Sequence, residues 1–138
     1  MADFKKLQVW QHAHTLALET YRIAQQIRGA HHMSLRSQLI RSSASVAANI
    51  VEGRAKRTDR DFARFLGYAL GSASELEYHI LMGRDIGVIS SRDFTYLRSQ
   101  LVKVRKMLHG LIDTVTGAAE PDGPKAQSAL TSPKPAAG

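Results

Sequence analysis

Cysteine is absent from the 138 residues, which removes disulfides, a thiolate nucleophile and any thiolate-held metal. Proline is absent until Pro121, and all four (Pro121, Pro124, Pro133, Pro135) fall in the last stretch. No apolar run approaches the ~20 residues a membrane span needs. Residues 1–20 also lack the apolar region and cleavage site of a signal peptide, so the expectation is a cytoplasmic chain with no membrane contact. No apolar–polar alternation survives over five residues, so no strand is predicted, and no glycine-rich loop follows a strand to cradle phosphate. Metal-binding helical signatures are missing too. There is no Glu-x-x-His or His-Glu-x-x-His, and Glu75 with His79 has no matching pair on another segment. His12, His14, His31 and His32 share no helical face, and Ser42, Ser43 and Ser45 have no evident histidine partner. The expectation is a protein without catalytic residues, metal or cofactor.

Acids are scarce relative to bases: 12 Asp and Glu against 19 Lys and Arg, a net charge of +7. The excess is not spread evenly. Lys125 and Lys134 cancel Glu120 and Asp122, which leaves 17 bases and 10 acids in residues 1–116. A basic globular body attracts polyanions through long-range steering.

The proline-free part is helical throughout. Proline inside a helix costs about 3 kcal/mol, and glycines do the punctuating instead: Gly29, Gly53, Gly87 and Gly117 each close a periodic segment, where a positive φ is wanted. Thr58 with Asp61, and Ser90 with Asp93, read as N-caps with an acid in the first turn. Between these marks the apolar residues step by three and four. The first series is Val9, Ala13, Leu16, Thr20, Ile23, Ile27; a shorter one is Leu35, Leu39, Val46, Ile50. Then come Phe62, Leu66, Ala69, Ala73, Leu76, Ile80, and last Phe94, Leu97, Leu101, Val104, Leu108, Leu111, Val115. Short connections make neighbouring helices antiparallel. The prediction is an all-α, up-down-up-down four-helix bundle over residues 1–116. Residues 117–138, rich in Ala, Pro, Gly and Ser with Leu130 alone as a large apolar residue, are predicted to be a disordered tail.

Polar residues run through the second and third helices at helical spacing: Gln38, Arg41, Ser42, Ser45, Asn49, Glu52 and Gly53, then Gly71, Ser72, Glu75 and Glu77. A buried carboxamide or carboxylate costs roughly 2–7 kcal/mol unless hydrogen-bonded. The line is therefore read as a structural polar network or subunit contact, or, less simply, as a ligand pocket among Gln38, Arg41, Asn49 and Glu75. In an antiparallel pair Gly71–Glu77 would lie opposite Gln38–Ser42, leaving two separate patches. Asn49 and Glu52 could also take bonds from the N–H groups that open the third helix.

Gly67 and Gly71 sit in mid-helix, where each costs about 1 kcal/mol against alanine, and imply close approach of the second helix or of another subunit. The second helix is small or apolar nearly all round (Ile40, Ala44, Ala47, Ala48, Val51), which in a four-helix bundle argues for oligomerisation.

Between the two halves lies a basic hinge: Arg54, Lys56, Arg57 and Arg60, with Arg64 one turn on, against Asp59 and Asp61, which on the plainer reading partly neutralise a solvated charged end. Arg98, Lys103, Arg105 and Lys106 lie off the apolar seam of the last helix. Such clusters at loops and helix starts suit sequence-blind phosphate binding. Phe62 and Phe65, the aromatics nearest the cations, read as core, so base stacking is not indicated.

Phe4-x-x-Leu7-x-Val9-Trp10-x-x-Ala13, Leu35-x-x-Gln38-Leu39-x-Arg41-x-x-x-Ser45-Val46-x-x-Asn49-Ile50-x-Glu52-Gly53 and Asp61-Phe62-x-x-Phe65-Leu66-x-x-Ala69-x-Gly71-Ser72-x-x-Glu75-Leu76-Glu77 together resemble the four-helix bundle proteins first noticed in intervening sequences of bacterial large-subunit rRNA genes. The resemblance spans about residues 3–116. Ala30-His31-His32-Met33 departs from the family's usual acidic-aromatic loop, and the tail is extra. The resemblance implies an antiparallel bundle assembling as a barrel-shaped homopentamer. It also implies kinship with accessory proteins of diversity-generating retroelements, basic pentamers that bind nucleic acid and a reverse transcriptase. Asn49, Glu52, Gly53, Gly71, Ser72, Glu75 and Glu77 match the family's signature positions. The function expected is a non-enzymatic homo-oligomer that binds nucleic acid, structured RNA first, through its backbone; an oligomeric scaffold without nucleic-acid binding is the alternative.

Overall fold

The computed structural model describes residues 3–117. Four helices follow one another: α1 Gln8–Gln25, α2 Met33–Arg54, α3 Asp59–Asp85 and α4 Ser91–Thr116, with single 3-10 turns at Phe4–Lys6 and Ala30–His32. Contacts join α1 to α2, α2 to α3, α3 to α4 and α4 back to α1, the ring of antiparallel neighbours that the short connections predict. Apart from Gly117, the expected tail lies outside the described residues.

The predicted seams are the core. Every residue of the α3 series from Phe62 to Ile80 is buried, as are Leu39, Val46 and Ile50 of α2 and Leu97, Leu101, Val104 and Leu108 of α4. Three hydroxyls are buried with them, and each is bonded within its own helix. Thr20 donates to the Leu16 carbonyl at 2.8 Å, Ser42 to Gln38 at 2.7 Å and Ser43 to Ile40 at 3.1 Å. These bonds avoid the penalty of an unpaired buried hydroxyl.

Both predicted caps form: the Thr58 and Ser90 hydroxyls accept from the Asp61 and Asp93 N–H at 3.1 and 3.0 Å. Gly29, Gly87 and Gly117 take positive φ, and Gly117 ends α4 in the left-handed conformation.

Gly53 corrects the sequence reading. It lies inside α2 with no positive φ, so it is not a left-handed stop. It is buried, and a Cβ there would fall 2.8 Å from Phe65 Cβ and 3.1 Å from the Phe62 ring. The glycine lets the end of α2 close onto the start of α3. Gly83, which the sequence reading passed over, does the same at the far end of α3, where a Cβ would meet Ile89 Cδ1 at 2.5 Å.

Gly67 and Gly71, by contrast, face solvent, and a Cβ at either would meet nothing within 4 Å. The close approach expected of α2 at these two positions is absent. The two kinds of glycine therefore respond in opposite directions to the same change. Gly53→Ala should cost roughly 1–3 kcal/mol through overpacking. Gly71→Ala should stabilise the fold by up to about 1 kcal/mol through helix propensity. Urea unfolding of the two variants beside the parent chain measures both.

Candidate nucleic-acid interface

The hinge is built by α2 running to Arg54, the short link Ala55–Arg57, and the Thr58 cap that opens α3. This brings Arg54, Lys56, Arg57, Arg60 and Arg64 to one end of the bundle, but their side chains differ in engagement. The Arg54 guanidinium sits 5.7 Å from the Phe62 ring centroid; its Nε is buried and without a bond among the described residues. Lys56 Nζ lies 4.8 Å above the Phe65 ring and 3.8 Å from Glu52. Arg64 lies 5.3 Å from Phe65 and 5.9 Å from Tyr68; it also donates to the Tyr68 hydroxyl at 3.3 Å and to Asp61 at 3.2 Å. The Tyr68 bond first, and Asp61 after it, push the Arg64 pKa up from its ordinary value. Arg57 and Arg60 are exposed, and among the described residues neither enters an ion pair or lies over a ring.

Phe62 is core, 6% exposed, as the sequence suggested. Phe65 is not. It is half-buried, with Lys56 and Arg64 against its ring and the edge-on ring of Tyr68 5.1 Å away. Aromatic and basic side chains are therefore interleaved here. Tyr68, which the sequence reading left out, is one helical turn from Arg64 on the same face of α3; that spacing was the available signal.

Two further cations were missed. Lys5 and Lys6 sit on the turn Phe4–Lys6, which the Asp3 carboxylate caps by accepting from the Lys5 N–H at 3.0 Å. The turn packs against α1 and α2. Since it precedes α1, it meets antiparallel α2 at its C-terminal end, beside the hinge. The only sequence signal was the cap residue before two lysines.

The polar line divides differently from expectation. Ser45 and Ser72 share a hydrogen bond at 2.8 Å across α2 and α3. Asn49 Nδ2 donates to the Ser45 carbonyl at 2.9 Å and hydroxyl at 3.2 Å. Ser72 thus stands opposite Ser45 rather than Gln38–Ser42, and Asn49 belongs to the same cluster. Glu52 points outward to Lys56, so it takes no N–H bond from α3, and Arg41 is exposed. Half-buried Gln38 contributes its carbonyl, to Ser42. Glu75 lies 3.5 Å from His79, whose Nε2 is buried and makes no hydrogen bond among the described residues.

Glu77 is on another face altogether. Its two oxygens accept from Arg105 Nη2 at 2.8 Å and Arg98 Nε at 3.2 Å, bracing α3 to α4. That engages two of the four α4 cations lying off the apolar seam; Lys103 and Lys106 are exposed.

Outward on α2 lie Arg41, Ala44, Ala48 and Glu52, and outward on α3 lie Tyr78 and Met82. A shallow apolar furrow of about 300 Å³ runs between Leu7 and Val9 of the N-terminal end and Met107, Leu111 and Thr114 of α4. No group of three or more His, Asp or Glu residues converges among the described residues, and no helix there is long and apolar enough to cross a membrane.

A protein-family model described as 23S rRNA-intervening sequence protein matches residues 5–110. Among solved structures, the chain is similar to a protein of unknown function from the S23 ribosomal protein family of Bacteroides thetaiotaomicron. The TM-score is 0.71 at 22% identity, over 75% of this chain and 97% of that one; at that identity the likeness concerns the fold. No curated protein matches the chain.

The brace at Glu77 gives a stability prediction. Glu77→Ala leaves Arg105, itself largely buried, without its carboxylate, and should cost roughly 1–3 kcal/mol. Thermal unfolding would show it; Arg105→Ala, which leaves Glu77 its Arg98 partner, should lose less, and a double variant that loses less than the sum of the two single losses would confirm the pairing.

Proposed function

Because the chain belongs to the 23S rRNA-intervening sequence protein family, we propose that it is a non-enzymatic, cytoplasmic homo-oligomer that binds nucleic acid, structured RNA first, through backbone phosphates at its hinge end. The observation that carries this reading is the pair Arg57 and Arg60, exposed and unpaired among the described residues. Arg57 precedes the Thr58 cap and Arg60 lies in the first turn of α3, where the helix N–H groups add a partial positive charge that Asp59 and Asp61 in the same turn offset in part. Lys5 and Lys6 extend the same end, while the ring-held Arg54, Lys56 and Arg64 supply a fixed positive background. Exposed charges can give their protein-free geometry to a phosphate without first breaking an internal pair, and each phosphate neutralised releases counterions.

The test is the salt dependence of binding to a short RNA duplex. The affinity of the parent chain should fall steeply from low to moderate salt. Replacing both Arg57 and Arg60 by Ala should flatten the log–log slope by about 2, close to one unit for each lost phosphate contact. Binding that is absent, or indifferent to salt, rules the reading out.

Oligomerisation is part of the proposal, five subunits being what the family resemblance implies. It is supported by the small outward face of α2 and the exposed Tyr78 and Met82 of α3, which a lone bundle would leave to water. Light scattering should return a multiple of the 15.2 kDa chain, and Ala44→Glu with Ala48→Glu should reduce it to a single subunit. The scaffold alternative draws on the same face. It would be favoured by an oligomer of that kind with no measurable affinity for the RNA duplex.

A further inference from the structure

Phosphate contacts alone leave one surface at this end unaccounted for. Arg60, Arg64 and Tyr68 are spaced i, i+4 and i+8, one line along α3 with about 6 Å of rise per step. Tyr68 is 48% exposed, a large aromatic surface to leave in water beside cations. Helical side chains lean toward the N-terminus, which is how the Tyr68 ring comes to rest against Phe65, 5.1 Å away at 78°, and near the Arg64 guanidinium. The ring is thus supported on its N-terminal side. On its C-terminal side the next turn presents Gly71, and on its flank Gly67, and a Cβ at either would meet nothing within 4 Å. The result is a braced aromatic ring with clear space beside it, in line with an unpaired arginine.

We propose that this face of α3 receives an unpaired base of the bound nucleic acid, stacked on the Tyr68 ring, with Arg60 on a neighbouring phosphate. The inference rests on the nucleic-acid reading above and narrows its partner to one that offers a loop, bulge or single-stranded nucleotide. A flat ring accepts any base, because each has a π face, so the contact selects for unpaired over paired rather than for sequence. The two mid-helix glycines then have a use: a side chain at position 71 would occupy the space the base needs.

The experiment compares two probes at one fixed salt concentration: an RNA hairpin with 2-aminopurine in its loop, and a blunt RNA duplex with the same number of phosphates. Binding of the full chain should quench the 2-aminopurine. Tyr68→Ala should weaken hairpin binding about 5- to 150-fold, the range of one lost base–aromatic stack, and leave duplex binding unchanged; Tyr68→Phe should retain the parent's affinity. Gly71→Leu should reproduce the hairpin defect while its unfolding midpoint does not fall and its mass by light scattering stays the same. Equal effects of Tyr68→Ala on both probes, or none on either, overturn the inference. If binding of both probes still depends on Arg57 and Arg60 in that case, the phosphate reading stands without it. A change of mass in Gly71→Leu or Tyr68→Ala also overturns it, since the face would then be a contact with a second copy of the chain. Binding of neither probe by the parent chain overturns both readings.

Discussion

At the hinge end of the bundle, α2 and α3 come together until only a hydrogen fits between Gly53 and the Cβ of Phe65. Much of the rest follows from that contact. It fixes the spacing of the most closely joined pair of helices, and it sets the register in which Ser45 meets Ser72. It also holds Phe62 and Phe65 where Arg54, Lys56 and Arg64 can lie against their rings. Lys56 and Arg64 stay exposed yet lie against these rings, and Arg57 and Arg60 are the hinge cations that touch neither a ring nor an acid among the described residues. The distribution of usable charge is thus a packing result before it is an electrostatic one.

Formal charge is a poor guide to that distribution. Arg98 and Arg105 look alike to Lys103 and Lys106 in sequence, yet both arginines converge on the one carboxylate of Glu77. A partly buried guanidinium with a good carboxylate partner has little to offer a phosphate, since leaving the pair exposes both groups to a desolvation penalty. The lysines keep their hydration and their reach. The +7 of the whole chain therefore overstates what any one surface presents.

The seams of α1, α3 and α4 were legible because burial imposes a period on the sequence, and the Thr58 and Ser90 caps because their residue type is tied to one bond. Gly53 was misread because glycine serves two unlike needs, a positive φ and the absence of a Cβ, and one letter does not say which. Glu77 was placed with Glu75 although two residues on a helix turn nearly to the opposite side; only its partners on α4 reveal the difference. Phe65 looked like core because it follows Phe62 by three, yet the buried seam steps by four there, from Phe62 to Leu66, and leaves Phe65 to one side of it. Lys5 and Lys6 precede any periodic segment, so nothing local tied them to a hinge some fifty residues away; the antiparallel packing does.

Gly83 against Ile89 mirrors Gly53 against Phe65 at the other end of α3. A rod seated in a socket at both ends neither slides nor tilts without emptying one of them. Whatever meets the hinge end therefore meets a surface whose ordering cost, roughly 1–2 kcal/mol per residue for the backbone, was met when the chain folded. A partner of the kind proposed would meet a finished part there rather than order one on contact.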